Sequence, residues 1–133
     1  MKVPLLKDVM TPTPLFVDAS ATIESAQQLM QKHNIRHLPI MDNGNPEGVL
    51  SERDIKYASL PGHRATADEQ MRVSDLCASR AYIADINDPL DKVIQVMSEQ
   101  HIAEVVVLED GELAGIFTEA DTCKILCELL RSC

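Results

Sequence analysis

Apolar residues recur along the chain at two different spacings, and these spacings predict alternating helices and strands. One helical stripe consists of Ile23, Ala26, Leu29 and Met30, and a second of Leu90, Val93, Val96 and Met97. Each stripe is followed by a run suited to a buried strand, at residues 37–41 and 105–108. A turn containing Asp and Gly closes each run, at residues 42–45 and 109–112. With short extended runs at 15–17 and 82–84, the pattern predicts the order β-α-β-β-α twice.

Capping and turn residues sharpen the predicted boundaries. In the first half, Ser20 or Thr22 is suited to cap the first helix. In the second half, Asn87 or Asp88 is suited to this role, with Pro89 in the first turn. Pro39 predicts an edge position or the start of a strand, because proline has no N–H to donate.

The two halves match without a gap when the chain is shifted against itself by 67 residues. The identical pairs include Asp8 with Asp75, Asp18 with Asp85, Gln28 with Gln95, Met30 with Met97, Ile35 with Ile102, Gly44 with Gly111, Gly48 with Gly115, Glu52 with Glu119, and Asp54 with Asp121. We predict one repeat over residues 1–66 and a second over 67–133, with a linker at 58–72. About 65 residues are marginal for an independent core, so the repeats are expected to bury surface against each other.

Charge and hydropathy exclude several classes of function. Of the net charge of −9, residues 1–66 contribute none (seven basic, seven acidic) and residues 67–133 contribute all (five basic, fourteen acidic). An acidic surface argues against broad binding to nucleic acids or anionic membranes. No run approaches 18 apolar residues and the first residues form no signal-peptide core, so we expect a cytoplasmic protein.

The cysteines are interpreted as free thiols of a reducing compartment, and no metal site is predicted. Three of the four, Cys123, Cys127 and Cys133, lie in the last helical stretch, and the fourth is Cys77. Cys123 and Cys127 share one helix face, but no nearby His or third well-spaced Cys completes a ligand set.

The most informative motif is Gly, two apolar residues, Ser or Thr, two variable residues and Asp. It occurs at residues 48–54 and again at 115–121. One interpretation is a capping box, in which the hydroxyl and the acid only start a helix. The alternative uses the same atoms for a nucleotide: the helix start suits a phosphate, and the carboxylate of Asp54 or Asp121 suits the two hydroxyls of a ribose. Ser51 or Thr118 would add a hydrogen bond, and Gly48 or Gly115 would allow close backbone approach.

These features resemble the cystathionine-β-synthase (CBS) domain, and the pair looks like a Bateman module. The resemblance extends over about residues 4–130. The segments that carry it are residues 7–12, residues 35–40 and the two motifs. It implies an α/β (α+β) fold of two pseudo-symmetric β-α-β-β-α repeats that pack against each other, and often a homodimer.

The resemblance also implies ligand sites in clefts between the repeats. Members typically bind AMP, ADP, ATP or related adenosyl ligands, among which S-adenosylmethionine is possible here. By position, Asp54 and Asp121 would hold ribose, with Ser51 and Thr118 beside them. The adenine would be flanked by backbone near Val17, Ala84, Ile35, Arg36 and His37. Thr11 occupies a position that often contacts ligand, whereas its counterpart is Ala78.

Basic residues distinguish the two repeats. Arg36 and His37 correspond to Ala103 and Glu104, and Arg53 corresponds to Ala120. Arginine pairs well with phosphate, so we expect unequal sites of which the first suits a charged nucleotide. A solvated Arg36 and a structural His37 remain open alternatives.

The sequence thus favours a regulatory sensor of adenosine nucleotides that acts on an unknown effector protein. The alternative is a ligand-free scaffold that dimerises through the apolar residues 125–130. An enzyme is disfavoured, because no catalytic triad signature, HExxH motif or P-loop is present. Neither a cofactor nor a partner nucleic acid is predicted.

Overall fold

The structure is a computed structural model that describes residues 2–13, 15–58, 71–76 and 82–133. Most of the predicted linker, Cys77 and Ala78 lie outside these residues. The chain divides into two compact units. We call residues 15–80 the Asp54 unit, and residues 1–14 together with 81–133 the Asp121 unit.

The Asp54 unit is built around a three-stranded sheet in the order β2-β3-β4. Its elements are β2 (Val17–Asp18), α2 (Ile23–His33), β3 (His37–Asp42), β4 (Asn45–Ser51), α3 (Glu52–Ala58) and a 3-10 helix (Val73–Leu76). Strand β2 runs parallel to β3, while β4 runs antiparallel to it. The start of β3, the end of β4 and the start of α3 therefore lie at one end of the sheet.

The Asp121 unit repeats this arrangement with one added strand, in the order β1-β7-β6-β5. Its elements are α1 (Leu6–Val9), β1 (Thr11–Pro12), β5 (Tyr82–Asp85), α4 (Leu90–Gln100), β6 (Glu104–Glu109), β7 (Glu112–Thr118) and α5 (Glu119–Arg131). Strand β1 pairs antiparallel with β7. The predicted α/β (α+β) class and the β-α-β-β-α order are confirmed in both units.

The segment that leads each repeat packs in the compact unit of the other repeat. Leu6 is fully buried in the apolar core of the Asp121 unit, and its N–H donates to the carbonyl of Asp88 at 2.9 Å. Val73 is 1% exposed in the core of the Asp54 unit, and its N–H donates to the carbonyl of Ala21 at 2.8 Å. The compact units therefore differ from the sequence repeats 1–66 and 67–133, because burial of these two side chains assigns each leading segment to the other repeat's core.

Each predicted turn closes a hairpin with two residues in the left-handed region. Asn43 and Gly44 have φ values of 51° and 80°, and Asp110 and Gly111 have values of 51° and 82°. Positive φ at both positions is typical of the type I′ turn, whose twist matches that of the flanking strands. The predicted turns are thus confirmed.

The local predictions at helix starts and at Pro39 had mixed outcomes. Thr22 caps α2 by accepting from the N–H of Ser25, as predicted, whereas Ser20 hydrogen-bonds Asp18. The prediction for α4 was wrong, because Pro89 itself occupies the N-cap position and the N–H of Leu90 donates to the carbonyl of Pro4 instead.

Pro39 is neither at a strand start nor on an edge strand, so that prediction was also wrong. It is the third residue of β3, the central strand of its sheet. Pairing with β2 begins only at Ile40, so the sheet does not need an N–H from Pro39 on that side.

Candidate functional site

The motif of the Asp54 unit forms a reciprocal capping box at the start of α3. The N–H of Ser51 donates to Oδ2 of Asp54 at 2.9 Å, and the N–H of Asp54 donates to Oγ of Ser51 at 3.0 Å. Ser51 is 7% exposed, while Asp54 is half-buried. Two N–H groups that a helix start leaves without partners are satisfied in this way, so the structural interpretation of the motif is correct here.

The motif of the Asp121 unit forms the same box and also receives a hydrogen bond from outside the motif. The N–H of Thr118 donates to Oδ2 of Asp121 at 3.0 Å, and the N–H of Asp121 donates to the Thr118 side chain. In addition, the hydroxyl of Thr11 donates to Oδ1 of Asp121 at 3.1 Å across 110 positions of sequence. The structure therefore brings Thr11, Thr118 and Asp121 together within one unit.

Gly115 makes room for the strand that carries Thr11. Thr11 pairs with Ile116 and Pro12 pairs with Gly115 across β1 and β7. A Cβ atom on Gly115 would overlap the carbonyl oxygen of Thr11 and lie 3.1 Å from Cα of Pro12. The backbone that approaches this motif glycine closely is thus that of β1. Gly48 is buried opposite Ile40 of β3.

Most N–H groups at the two helix starts are already engaged by protein atoms. Besides the capping bonds, the N–H of Glu52 donates to the carbonyl of Arg36 at 2.9 Å, and that of Glu119 to the carbonyl of Ala103 at 3.0 Å. These engaged groups are not available to a phosphate. In the described part of each unit, phosphate recognition would therefore depend on side chains.

The basic side chains predicted for phosphate gather at the start of α3. Arg36 and Arg53 are exposed, and Arg36 is held there by its carbonyl bond to Glu52. His37 pairs with Ser51 across β3 and β4, where the Asp121 unit has Glu104 opposite Thr118. Lys56 forms an ion pair with Glu52 at 2.7 Å, and this hydrogen bond lowers the pKa of the Glu52 carboxyl. Arg36 and Arg53 thus remain the cations best suited to an anion.

Two of the backbone positions predicted to flank adenine lie on β2 and β5, beside the middle of β3 and β6. Val17 of β2 lies opposite Ile40 of β3, and Ala84 of β5 lies opposite Val107 of β6. Both side chains are buried in the cores, so only their backbone is open to contact. The half-buried Ile35 precedes β3, and its N–H donates to the carbonyl of Met30 at the end of α2.

Sequence reasoning missed two side chains next to these positions. Phe16 is 50% exposed and Ile83 is 43% exposed, although both are large and apolar. They correspond in the 67-residue register, and each directly precedes a buried strand residue. The alternation of exposed and buried apolar residues at equivalent positions is the signal that would have identified them.

Among the described residues, no group of three or more His, Cys, Asp or Glu side chains is arranged to hold a metal ion. Cys123, Cys127 and Cys133 are free and exposed. A search of the same described residues finds no helix with the length and apolar character of a membrane span.

Comparison with known proteins identifies the family. The sequence profile of the CBS domain matches residues 6–60 and 73–128. The chain belongs to the CBS-domain family. It is a CBS pair, a regulatory type of module, and the predicted resemblance is confirmed.

Relatives and solved structures agree with this assignment. Hypoxic response protein 1 of Mycobacterium tuberculosis (strain CDC 1551 / Oshkosh) is 34% identical over 127 residues, which are 92% of this chain and 85% of that protein. L-aspartate semialdehyde sulfurtransferase of Methanocaldococcus jannaschii is 30% identical over 123 residues, but these are only 23% of its length.

Two solved structures with the same fold hold different ligands. A CBS-domain pair in complex with 5′-methylthioadenosine and S-adenosyl-L-methionine has a TM-score of 0.76 at 28% identity, covering 96% of this chain and 98% of that one. Hypoxic Response Protein I with two coordinated zinc ions has a TM-score of 0.70 at 30% identity, covering 90% and 97%.

Proposed function

We propose that this CBS pair is a non-catalytic regulatory sensor that binds adenosine-type ligands through Asp54 and Asp121. The observation that carries the proposal is a duplicated arrangement at a helix start: a half-buried carboxylate accepts from the N–H of the preceding Ser or Thr, whose side-chain oxygen accepts from the N–H of the Asp. Such a carboxylate keeps acceptor positions that suit two neighbouring ribose hydroxyls.

Neighbouring side chains support the same ligand class. Phe16, which precedes β2, and Ile83 of β5 each provide an exposed apolar surface for an adenine ring. Arg36 and Arg53 provide positive charge for phosphate in the Asp54 unit. AMP, ADP or ATP would suit that unit, and the solved relative that holds S-adenosyl-L-methionine and 5′-methylthioadenosine supports adenosyl ligands more generally.

As a regulator, the protein would change the population of its conformations when ligand binds, and an effector protein would detect that change. We further propose that it acts in the cytoplasm without nucleic-acid or membrane binding, which is in keeping with the net charge of −9.

A thermal-shift panel with AMP, ATP, S-adenosylmethionine and 5′-methylthioadenosine tests the proposal. A ligand that binds only the folded state stabilises it by about 2.7 kcal/mol at about 100 times its Kd, so at least one ligand is expected to raise Tm. The matched control is the double variant Asp54→Asn and Asp121→Asn, which keeps an oxygen for each cap but loses both carboxylates. If no ligand at millimolar concentration moves Tm of the native protein, the proposal is wrong.

Helix α5 favours a second candidate function, a scaffold that forms a homodimer. None of its residues is buried, and Leu126 and Leu130 are 52% and 64% exposed. Exposed apolar residues on one helix are typical of an interface. Sedimentation of Leu126→Asp is expected to give a monomer if this surface makes a dimer, while Lys124→Asp, on the opposite side of the helix, is expected to have no effect. A monomeric native protein would contradict the scaffold.

A further inference from the structure

Helix α5 carries two exposed cysteines about one turn apart. Cys123 and Cys127 both have free thiols, and both lie on the side of the helix that faces solvent. Residues four apart share one face of a helix, with about 5–6 Å between their Cβ atoms. The two thiols are therefore presented side by side at the surface.

This spacing suits a bridge through one metal ion rather than a direct bond. A disulfide needs Cβ atoms about 3.5–4.5 Å apart, so a disulfide between Cys123 and Cys127 would distort the helix. An ion bound by both sulfur atoms lies between them and spans the longer gap. Among the metals that soft thiolates favour, zinc and iron–sulfur clusters take four ligands, whereas Cu(I) is satisfied by two. Because the described residues offer no group of three or more ligating side chains, Cu(I) fits this pair best.

The pair is separate from the motif at the start of the helix. Successive residues of a helix are rotated by about 100°, so Cys123 lies almost opposite Asp121. In agreement with this, Asp121 is half-buried while Cys123 is exposed. The repeated fold does not require the thiols, because the counterparts of Cys123 and Cys127 in the other repeat are Lys56 and Leu60.

The neighbours of the thiols suit a soft cation. Leu126 and Leu130, which are 52% and 64% exposed, lie three residues beyond Cys123 and Cys127 and border them with apolar surface. Arg131 lies one turn beyond Cys127 at the end of the helix. A monovalent cation bound by two thiolates leaves one negative charge, which the nearby guanidinium offsets.

We infer that Cys123 and Cys127 form a chelating site for one Cu(I) ion. The site does not depend on the proposed binding of adenosine-type ligands. On binding, each thiol releases its proton to solvent and each sulfur forms one bond to the metal, so two protons leave and no electron is transferred. Because one helix holds both ligands, chelation is expected to exceed the affinity of a single thiol by about 10²–10⁴-fold.

Anaerobic titration of the reduced full chain with Cu(I), in competition with a coloured Cu(I) chelator, tests the inference. The native chain is expected to bind one ion, and native mass spectrometry is expected to show one metal per chain. Cys123→Ser and Cys127→Ser should each weaken binding about 10²–10⁴-fold. The matched control combines Cys127→Ser with Glu128→Cys, which keeps the number of thiols but turns one away from Cys123. It should bind no better than Cys127→Ser alone.

A further variant tests whether the pair is sufficient. Cys77→Ser combined with Cys133→Ser removes the other two thiols of the chain and should bind Cu(I) as the native chain does. Loss of binding in this variant, native affinity in any variant that lacks Cys123 or Cys127, or one ion shared by two chains would overturn the inference. Unchanged helicity in circular dichroism checks that the serine variants fold.

Discussion

The Asp54 unit and the Asp121 unit start their last helices with the same chemistry but surround it with different charges. Each has a hydroxyl and a carboxylate in a capping box, and the residue just before β3 or β6 supplies a carbonyl to the first turn. The Asp54 unit carries seven basic and nine acidic residues, and the Asp121 unit five and twelve. The shared geometry thus favours the same part of a ligand in both units, while the different charges favour different groups attached to that part.

The comparison also shows how one hydroxyl can separate two equivalent positions. Thr11 donates to the Asp121 oxygen that the capping box does not use, and its counterpart in the repeat register is Ala78, which has no hydroxyl. Among the described residues, the unit with more basic residues therefore has the carboxylate with fewer donors. We expect the Asp54 site to favour phosphorylated ligands more than the Asp121 site does.

The largest expected effect is on stability and concerns the segments that lead the repeats, each of which packs in the compact unit of the other repeat. Leu6→Ala removes a fully buried side chain from the core of the Asp121 unit and is expected to cost about 2–5 kcal/mol of unfolding free energy. Hydrogen exchange should rise first in residues 82–133, because Leu6 packs there. The matched variant Val73→Ala should have the corresponding effect in residues 15–58. If hydrogen exchange after Leu6→Ala became faster in residues 15–58 alone, Leu6 would not pack in the core of the Asp121 unit.

A smaller effect is expected from Gly115→Ala. The new Cβ would overlap the carbonyl of Thr11, so β1 must shift or the backbone must be strained. We expect this to lower the free energy of unfolding, measured in urea, by about 1–3 kcal/mol. Thr11→Val is the control, because it keeps the backbone approach and removes only the hydroxyl. Equal stability of Gly115→Ala and native protein would show that β1 does not lie against Gly115.

The smallest effect is expected from the charge difference. Arg36→Ala removes an exposed cation near the start of α3 and is expected to weaken ATP about threefold to tenfold while changing adenosine little. Calorimetry in the Asp121→Asn protein, which retains the Asp54 site, measures this directly. Equal loss for ATP and adenosine would show that Arg36 does not meet phosphate.

Sequence alone predicted the features that depend on neighbours in the chain. The capping boxes join residues three apart, and the hairpin turns need only two residues that accept positive φ. Periodicity located the helices because apolar side chains on one face must be buried. The repeat then made each local signal appear twice, which is why the family could be recognised.

Features that depend on distant contacts could not be predicted in this way. The bond between Thr11 and Asp121 spans 110 positions, and the repeat register gives no sign of it because position 78 is alanine. At α4, the expected side-chain cap was replaced by the carbonyl of Pro4, which comes from a segment more than 80 residues earlier. In both cases tertiary structure supplied a partner that local propensity cannot specify.

The stoichiometry of adenosine-ligand binding tests the central claim most directly. In titrations with whichever ligand of the thermal-shift panel binds most tightly, the native chain is expected to bind two molecules. Asp54→Asn and Asp121→Asn should each bind one, and the double variant none. Binding by the double variant with native affinity and stoichiometry would contradict the claim that these two carboxylates hold the ligand.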